Sequence, residues 1–223
     1  MTLGQDANES GNRKPVVILG AGGHARVLIS LLRLIDRPIH ALLDDDPTKH
    51  SQAIDGLSIT GAFDRLLQYP ADEVELVNAI GSAHRPTARQ AVYEQFTKLG
   101  YTFATLIHPA AIIAPQANVQ PGAQVMASAT IQAGAQIESN CLINTASVID
   151  HDTTIGAHSH IASGATICGS VRVGKGCHIG AGATVIQGMT LGEGVVVAAG
   201  ATVVNDVGDQ QLVQGTPAKP RRP

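Results

Sequence analysis

Tryptophan is missing from this sequence, and aromatic residues of any kind make up only 3 % of its 223 residues. A core wedged together by large rings is thereby excluded. The 44 % apolar content has to come from Ile, Val, Leu and Ala at many equivalent positions. Long apolar runs are missing too: none approaches the ~20 residues needed to span a bilayer. Basic tracts are limited to Arg221-Arg222 and the net charge is -3, which argues against a nucleic-acid partner. The three cysteines, Cys141, Cys168 and Cys177, form neither an even disulfide set nor a metal-ligand spacing. Residues 1–14 are polar, with no apolar h-region of a secretory leader, and are expected to be a flexible N-terminus. These absences predict a reduced cytoplasmic protein with no metal. Glycine, by contrast, is abundant at 24 residues.

What the sequence does have is a period of six. From Ile113 an aliphatic residue recurs at every sixth position through Val119, Val125, Ile131 and onward to Val197 and Val203, sixteen times without an insertion. Two residues earlier there is usually a small side chain, such as Ala117, Ala129, Cys141, Ser147, Thr153, Ser159 or Cys177. A six-residue period is neither helical nor a simple alternating strand. One large and one small inward position per six residues suit a triangular prism, with one flat face and one corner per hexapeptide. Three units then make a coil of eighteen residues, and the run gives a little over five coils. On this reading Cys141 and Cys177 are packing residues, and Cys168 has no catalytic need.

The N-terminal half reads differently. Val16–Leu19 is a short apolar run of buried-strand type, followed by Gly20-Ala21-Gly22-Gly23-His24-Ala25 and a helical pattern to about Ile35. A second apolar run, Ile39–Leu43, ends in Asp44-Asp45-Asp46-Pro47. Glu75–Ile80 reads as a strand, Arg85–Leu99 as a helix and Phe103–Ile107 as another strand. G-x-G-x-x-A after a strand, with an acid some twenty residues on, fits a dinucleotide fingerprint in which backbone approaches a phosphate at a helix N-terminus. The segment is too short for the two halves of a full dinucleotide fold, so a mononucleotide-type ligand is favoured over NAD. Gly20–Gly23 as a purely structural tight turn is the competing reading.

The hexapeptide run, about Ile112 to Lys219, resembles the hexapeptide-repeat acyltransferases, and Val213-Gln214-Gly215-Thr216-Pro217-Ala218-Lys219 is similar to their V-x-G-x-P-A-K close. More narrowly, Gly-Ala-Gly-Gly-His at the first turn, Leu-Asp-Asp-Asp after the second strand, Ala-Ile-Gly-x-x-x-x-Arg after the third and His108-Pro109 at the junction resemble the sugar O- and N-acyltransferase family. That family includes sialic acid O-acetyltransferases and the nucleotide-sugar N-acetyltransferases of bacillosamine and perosamine synthesis. The resemblance implies an α/β Rossmann-like small domain binding a nucleotide sugar over 15–108. An all-β left-handed parallel β-helix over 109–223 would follow. It also implies a homotrimer with acetyl-CoA, a co-substrate, held between neighbouring helices, and a role in polysaccharide or glycan biosynthesis.

Carried over by the same resemblance, Gly22, Gly23 and His24 would face a diphosphate, and Asp44 and Asp45 a base or ribose. Asn78, Gly81 and Arg85 would lie nearby, with Arg85 equally readable as a solvated helix residue. The stretch Asn144-Thr145 through Asp150-His151-Asp152 to His160-Ile161 resembles the family's active-site segment. It implies His151 as general base, Asp152 as its orienting partner and His160 near the acetyl group. Asn144, Gly169, Ala181 and Lys219 would be further coenzyme contacts. Acyl transfer from a thioester needs a base of near-neutral pKa, for which histidine is suited, and needs no protein nucleophile. The period puts His160 and His178, eighteen residues apart, at the same corner of consecutive coils. His158, His160 and His178 can alternatively be read as a row of exposed or trimer-interface polar residues. His151 and His160 are half a coil apart across an aliphatic core, so a site that uses both would draw them from different subunits. The acceptor implied is the amine of a UDP- or GDP-linked 4-amino-4,6-dideoxy sugar. An O-acetyltransferase of sialic acid and a non-catalytic nucleotide-binding scaffold are the alternatives.

Overall fold

A computed structural model of the chain describes residues 13–82 and 86–220. They divide into two units, Met1–Gly81 with Ala91–Ala104, and Ser82–Gln90 with Thr105–Pro223.

The first unit is built on a three-stranded parallel sheet. β1 (Val16–Leu19) lies in the middle, between β2 (Ile39–Leu43) and the strand Glu75–Asn78. All four residues of β1 are fully buried, as expected of a central parallel strand covered on both faces. The helix α1 (Gly23–Leu34) buries Ala25, Leu28, Ile29, Leu31 and Leu32, the spacing of one helical face. A second helix, α2 (Thr87–Lys98), gives its last two turns to this unit. The few aromatic residues are gathered here. The three Phe and three Tyr of the chain, Phe63, Phe96, Phe103, Tyr69, Tyr93 and Tyr101, all belong to one cluster around Leu19, Leu43 and Leu76. The Tyr101 hydroxyl is kept satisfied by its single hydrogen, which lies within reach of the carbonyls of Tyr69 (2.8 Å) and Leu66 (3.0 Å).

Two sequence readings change in detail. The strand expected over Phe103–Ile107 divides: Phe103 bridges to Leu76 in the first unit, whereas Leu106–Ile107 pairs with Gln124–Val125 in the second. The strand expected to reach Ile80 stops at Asn78, because Asn78 turns its own side-chain oxygen to the Ile80 N–H at 3.3 Å, a local bond that competes with the ladder.

The second unit is a parallel β-helix of two-residue strands on three faces. The first face stacks Ile112–Ile113, Thr130–Ile131, Val148–Ile149, Thr166–Ile167, Thr184–Val185 and Thr202–Val203. The second face runs from Asn118–Val119 to Thr190–Leu191 and the third from Leu106–Ile107 through His160–Ile161 and His178–Ile179 to Leu212–Gln214. From Thr130–Ile131 to Thr166–Ile167 the second residue of each strand points inward, and Ile131, Ile137, Ile143, Ile149, Ile155, Ile161 and Ile167 are all 0 % exposed. Each such side chain contributes about 1.5–3 kcal/mol through burial, and the small inward residues, with Cys141 and Cys177 among them, fill the remaining space. Where that residue carries a hydroxyl it is satisfied: Thr153 Oγ1 donates to Cys168 O at 2.9 Å and Ser159 Oγ to Gly174 O at 3.0 Å.

The corners share one device. A residue with positive φ recurs every six positions, among them Gly134, Asn140, Ala146, Asp152, His158, Gly164 and Ser170. The left-handed conformation turns the chain sharply at each corner, which explains why Gly, Asn, Asp and Ser dominate there. A different set of glycines serves stacking. A Cβ on Gly156 would come within 2.6 Å of the Gly174 carbonyl carbon one coil on.

Candidate functional site

In the first unit, seven of the expected substrate-side residues fall together at the C-terminal ends of the parallel strands, where ligands bind in open α/β sheets. Gly22 is the N-cap of α1 and Gly23 its first residue. A Cβ on either would meet nothing within 4 Å, so both backbones face open space at the positive end of the helix. His24 follows, half-buried, and Gly81 lies beside it, 3.8 Å from His24 Cβ by its own would-be Cβ. Asn78 is buried behind this rim. Arg85 lies outside the described residues.

The two acidic residues are already engaged inside the unit. Asp44, buried at the end of β2, accepts from Ala21 N (2.6 Å) and from Lys49 Nζ (3.0 Å) through Oδ2, and from Asp46 N (2.9 Å) through Oδ1. Burial alone would raise its pKa, but the two backbone N–H groups and Lys49 outweigh that and hold it below the usual carboxylate range. Asp44 therefore ties the glycine turn to the end of the neighbouring strand. Asp45 is exposed and accepts from Phe63 N at 2.8 Å. Lys49 carries no motif, and its part in this clamp was not visible in the sequence.

In the second unit, His151 and Asp152 stand on the corner between the first and second faces. Asp152 has φ 55 and occupies the left-handed corner position, which throws the preceding side chain outward. The His151 side chain is 59 % exposed and its Nδ1 lies 2.9 Å from Asp152 Oδ2. The backbone beneath is fixed on both sides, since Ser170 N donates to His151 O (2.9 Å) and Asp152 N to Ala133 O (3.1 Å). The hydrogen bond with Asp152, then the nearby Asp150 charge, raises the His151 pKa above its ordinary value. With Nδ1–H donating to the carboxylate, Nε2 carries the lone pair. Such a pair can take a proton from a nucleophile at neutral pH.

Gly169, expected as a coenzyme contact, is placed against this imidazole. A Cβ there would lie 2.5 Å from His151 Nε2. Asp152 has a matching neighbour in Gly134, whose would-be Cβ lies 2.5 Å from Asp152 Oδ1.

The other coenzyme-side candidates gather elsewhere on the prism. His160 and His178 are register partners on the flat third face, not at a corner. The difference follows from phase: they are the first, outward residue of their strands, whereas His158 holds the corner. Nor are the three histidines an exposed row, because His158, His160 and His178 are 6 %, 6 % and 7 % exposed. His158 Nδ1 accepts from Asn140 Nδ2 at 2.9 Å. His160 Nε2 faces Asn144 Nδ2 at 3.2 Å. His160, His178 and Ala181 line a cavity of about 440 Å³ with Ser82, Val196 and Gln214. Ser82, a residue of no recognisable motif, was missed in the sequence. Lys219 pairs with Gln214 in an antiparallel end strand on the same face. The third face is opposite the corner that bears His151, so within one chain His151 and His160 look out on opposite sides of the aliphatic core.

Known families match segments of both units. Residues 15–96 match the PglD N-terminal domain, residues 134–169 the bacterial transferase hexapeptide (six repeats) and residues 170–204 the hexapeptide repeat of succinyl-transferase. Among solved structures, a variant of perosamine N-acetyltransferase from Caulobacter crescentus, in complex with CoA and GDP-perosamine, is 35 % identical with a TM-score of 0.88, covering 94 % of this chain and 97 % of that one. The acetyltransferase domain of PglB from Neisseria gonorrhoeae is 32 % identical with a TM-score of 0.86, covering 94 % of this chain and all (100 %) of that one; it has also been solved with acetyl coenzyme A. WeeI from Acinetobacter baumannii, 21 % identical with a TM-score of 0.85 and covering 93 % of this chain and 99 % of that one, shares the fold. With this identity over nearly its whole length, the chain belongs to the hexapeptide-repeat sugar acyltransferase family.

Proposed function

We propose that the protein is an acetyl-CoA-dependent N-acetyltransferase that acylates the amine of a nucleotide-linked 4-amino-4,6-dideoxy sugar. The observation that carries this reading is the His151–Asp152 pair at 2.9 Å on an exposed corner, in a chain 35 % identical to an enzyme that was solved with CoA and GDP-perosamine. His151 Nε2 takes the proton that the sugar amine sheds as its nitrogen bonds to the thioester carbonyl carbon. When the tetrahedral carbon collapses and the C–S bond breaks, the same nitrogen returns that proton to the departing thiolate. Asp152 holds the ring in the required tautomer and offsets its positive charge meanwhile. No protein-bound acyl group is needed.

Gly22, Gly23 and His24 would hold the diphosphate at the start of α1, with the outer oxygen of Asp45 toward ribose or base and Asn78 and Gly81 lining the rim. Asp44 would support the turn from behind, and Arg85 would complete the set. Asn144, His160, Ala181 and Lys219 would serve acetyl-CoA, with Gly169 shared between coenzyme and base. Since His151 and His160 face opposite ways in one chain, a site that uses both joins two subunits of a homotrimer. The charge-free outward column of the first face, Ile112, Thr130, Val148, Thr166, Thr184 and Thr202, suits packing between copies. No helix among the described residues is long and apolar enough to cross a membrane, and we place the enzyme in the cytoplasm, in glycan biosynthesis.

The test is thiol release from acetyl-CoA offered with a panel of UDP-, GDP- and CMP-linked sugars. A UDP- or GDP-linked amino sugar should turn over, and His151→Ala should abolish it. Turnover only with sialic acid hydroxyls would make the protein an O-acetyltransferase, and coenzyme binding with no acceptor turned over would make it a scaffold.

A further inference from the structure

We propose that Ser82 is a positioning residue that locks His160 and His178 in opposite tautomers and so fixes the hydrogen-bonding pattern of the cavity they line. That this cavity receives acetyl-CoA rests on the function proposed above; the tautomer assignment does not.

With both rings neutral, the hydrogen bonds to Asn144 and Ser82 fit one arrangement. Asn144 Oδ1 accepts the Thr145 N–H at 2.8 Å, which orients the amide so that its NH2 faces His160 Nε2 at 3.2 Å. An amide NH2 only donates, so His160 Nε2 bears the lone pair and the ring hydrogen sits on Nδ1. That N–H donates to Ser82 Oγ at 2.7 Å. The single hydroxyl hydrogen of Ser82 is then directed to His178 Nδ1, at 3.0 Å. His178 accepts at Nδ1 and carries its hydrogen on Nε2. The rings sit on adjacent rungs of one sheet with centroids 5.0 Å apart at 84°, which lets both Nδ1 atoms converge on one oxygen. Only a group that both donates and accepts can bridge two ring nitrogens in this way, and a hydroxyl is the smallest such side chain. The remaining wall of the cavity is largely apolar, with Ala162, Val196, Val197 and Ala199, so the polar pattern offered to a ligand is set mainly by these rings, Ser82 and Gln214.

Full-length protein with 15N-labelled histidine would be examined by long-range 1H–15N correlation, which separates protonated from bare ring nitrogens. His160→Gln and His178→Gln assign the signals. The expected result is Nδ1–H for His160 and Nε2–H for His178, a mixed pattern in Ser82→Ala and recovery in Ser82→Thr, which keeps the hydroxyl. The same tautomer in both wild-type rings, or no change in Ser82→Ala, overturns the assignment. Calorimetric titration with acetyl-CoA should show Kd raised about tenfold in Ser82→Ala, the order expected for one lost hydrogen bond, and within about twofold of wild type in Ser82→Thr. Equal affinity in wild type and Ser82→Ala overturns the link to the coenzyme. Tautomers as stated in a wild type that does not bind acetyl-CoA support the role of Ser82 and refute the coenzyme reading.

Discussion

Replacing Gly169 with Ala should disable the enzyme while leaving its fold untouched. The backbone does not forbid it, for Gly169 is absent from the positive-φ corners. The obstacle is the imidazole of His151. A Cβ at residue 169 would lie 2.5 Å from Nε2 and 2.7 Å from Cε1, whereas ordinary heavy-atom contact needs about 3.5 Å. The ring must retreat by about 1 Å, and it can, since 59 % of the side chain is exposed. Rotation spares the protein the strain but carries Nε2 away from its place and stretches the 2.9 Å bond to Asp152.

A displacement of this size at a reacting group costs on the order of 100-fold in rate, within the 100- to 10,000-fold range that a general base contributes. The kcat of Gly169→Ala, followed by thiol release at saturating substrates, should therefore fall about 100-fold, with the melting temperature within about 1 °C of wild type because the collision is relieved at the surface. The two changes should not add: in His151→Ala, a further Gly169→Ala should do little, since the ring it displaces is gone. A Gly169→Ala enzyme within about threefold of wild type, or a double variant as impaired as the product of the singles, would refute the reasoning.

Other perturbations follow from the same geometry. Asp152→Asn keeps a residue that tolerates the left-handed corner but removes the main cause of the raised His151 pKa; if His151 is the base proposed above, it works deprotonated, and the acidic limb of the kcat/KM profile should move to lower pH, while kcat falls. Gly156→Ala drives a Cβ to 2.6 Å from the Gly174 backbone, a clash that rotation cannot relieve, and should cost about 2–3 kcal/mol, read as a melting temperature lower by roughly 5–10 °C. Asp44→Asn should cost about 2 kcal/mol by weakening three charge-assisted bonds. Because the folded Asp44 pKa lies below its unfolded value, that stability is present above the unfolded pKa and is lost as pH falls through the folded one, so urea midpoints of wild type and variant should converge in acid.

The prism was legible because its signal is local and repeated. An inward Ile every six residues and a turn residue three positions later state the fold many times over, and Ile131 to Ile167 are buried as that period requires. The first sheet was legible as three apolar runs with a glycine turn. What the sequence hid lies in single side-chain bonds between distant positions. Ser82 reaches residues 78 and 96 positions away, and Lys49 is placed only by the carboxylate it meets; neither leaves a periodic trace. Phase was the other source of error. The eighteen-residue spacing correctly stacks His160 on His178, but spacing alone does not distinguish a face from a corner. For Gly169, the residue was visible but its contact with His151 was not, because that contact exists only once coils are stacked.

The stacking also shows how a repeat can hold the proposed base. A corner residue of a solenoid has its backbone clamped by the coil on either side, as His151 O and Asp152 N are by Ser170 and Ala133, so the side chain it projects starts from a rigid point. The same stacking would ordinarily crowd that side chain, since whatever occupies the equivalent corner one coil away has a Cβ directed at it. Here one of the two stacked neighbours of each residue is glycine: Gly134 makes room for the Asp152 carboxylate and Gly169 for the His151 ring. The proposed catalytic corner is therefore a unit of three coils rather than a dipeptide. A His-Asp pair grafted onto another corner of this prism would be held as firmly by its backbone, but it would lack this pair of glycines, which leave room for the imidazole and the carboxylate to meet at 2.9 Å.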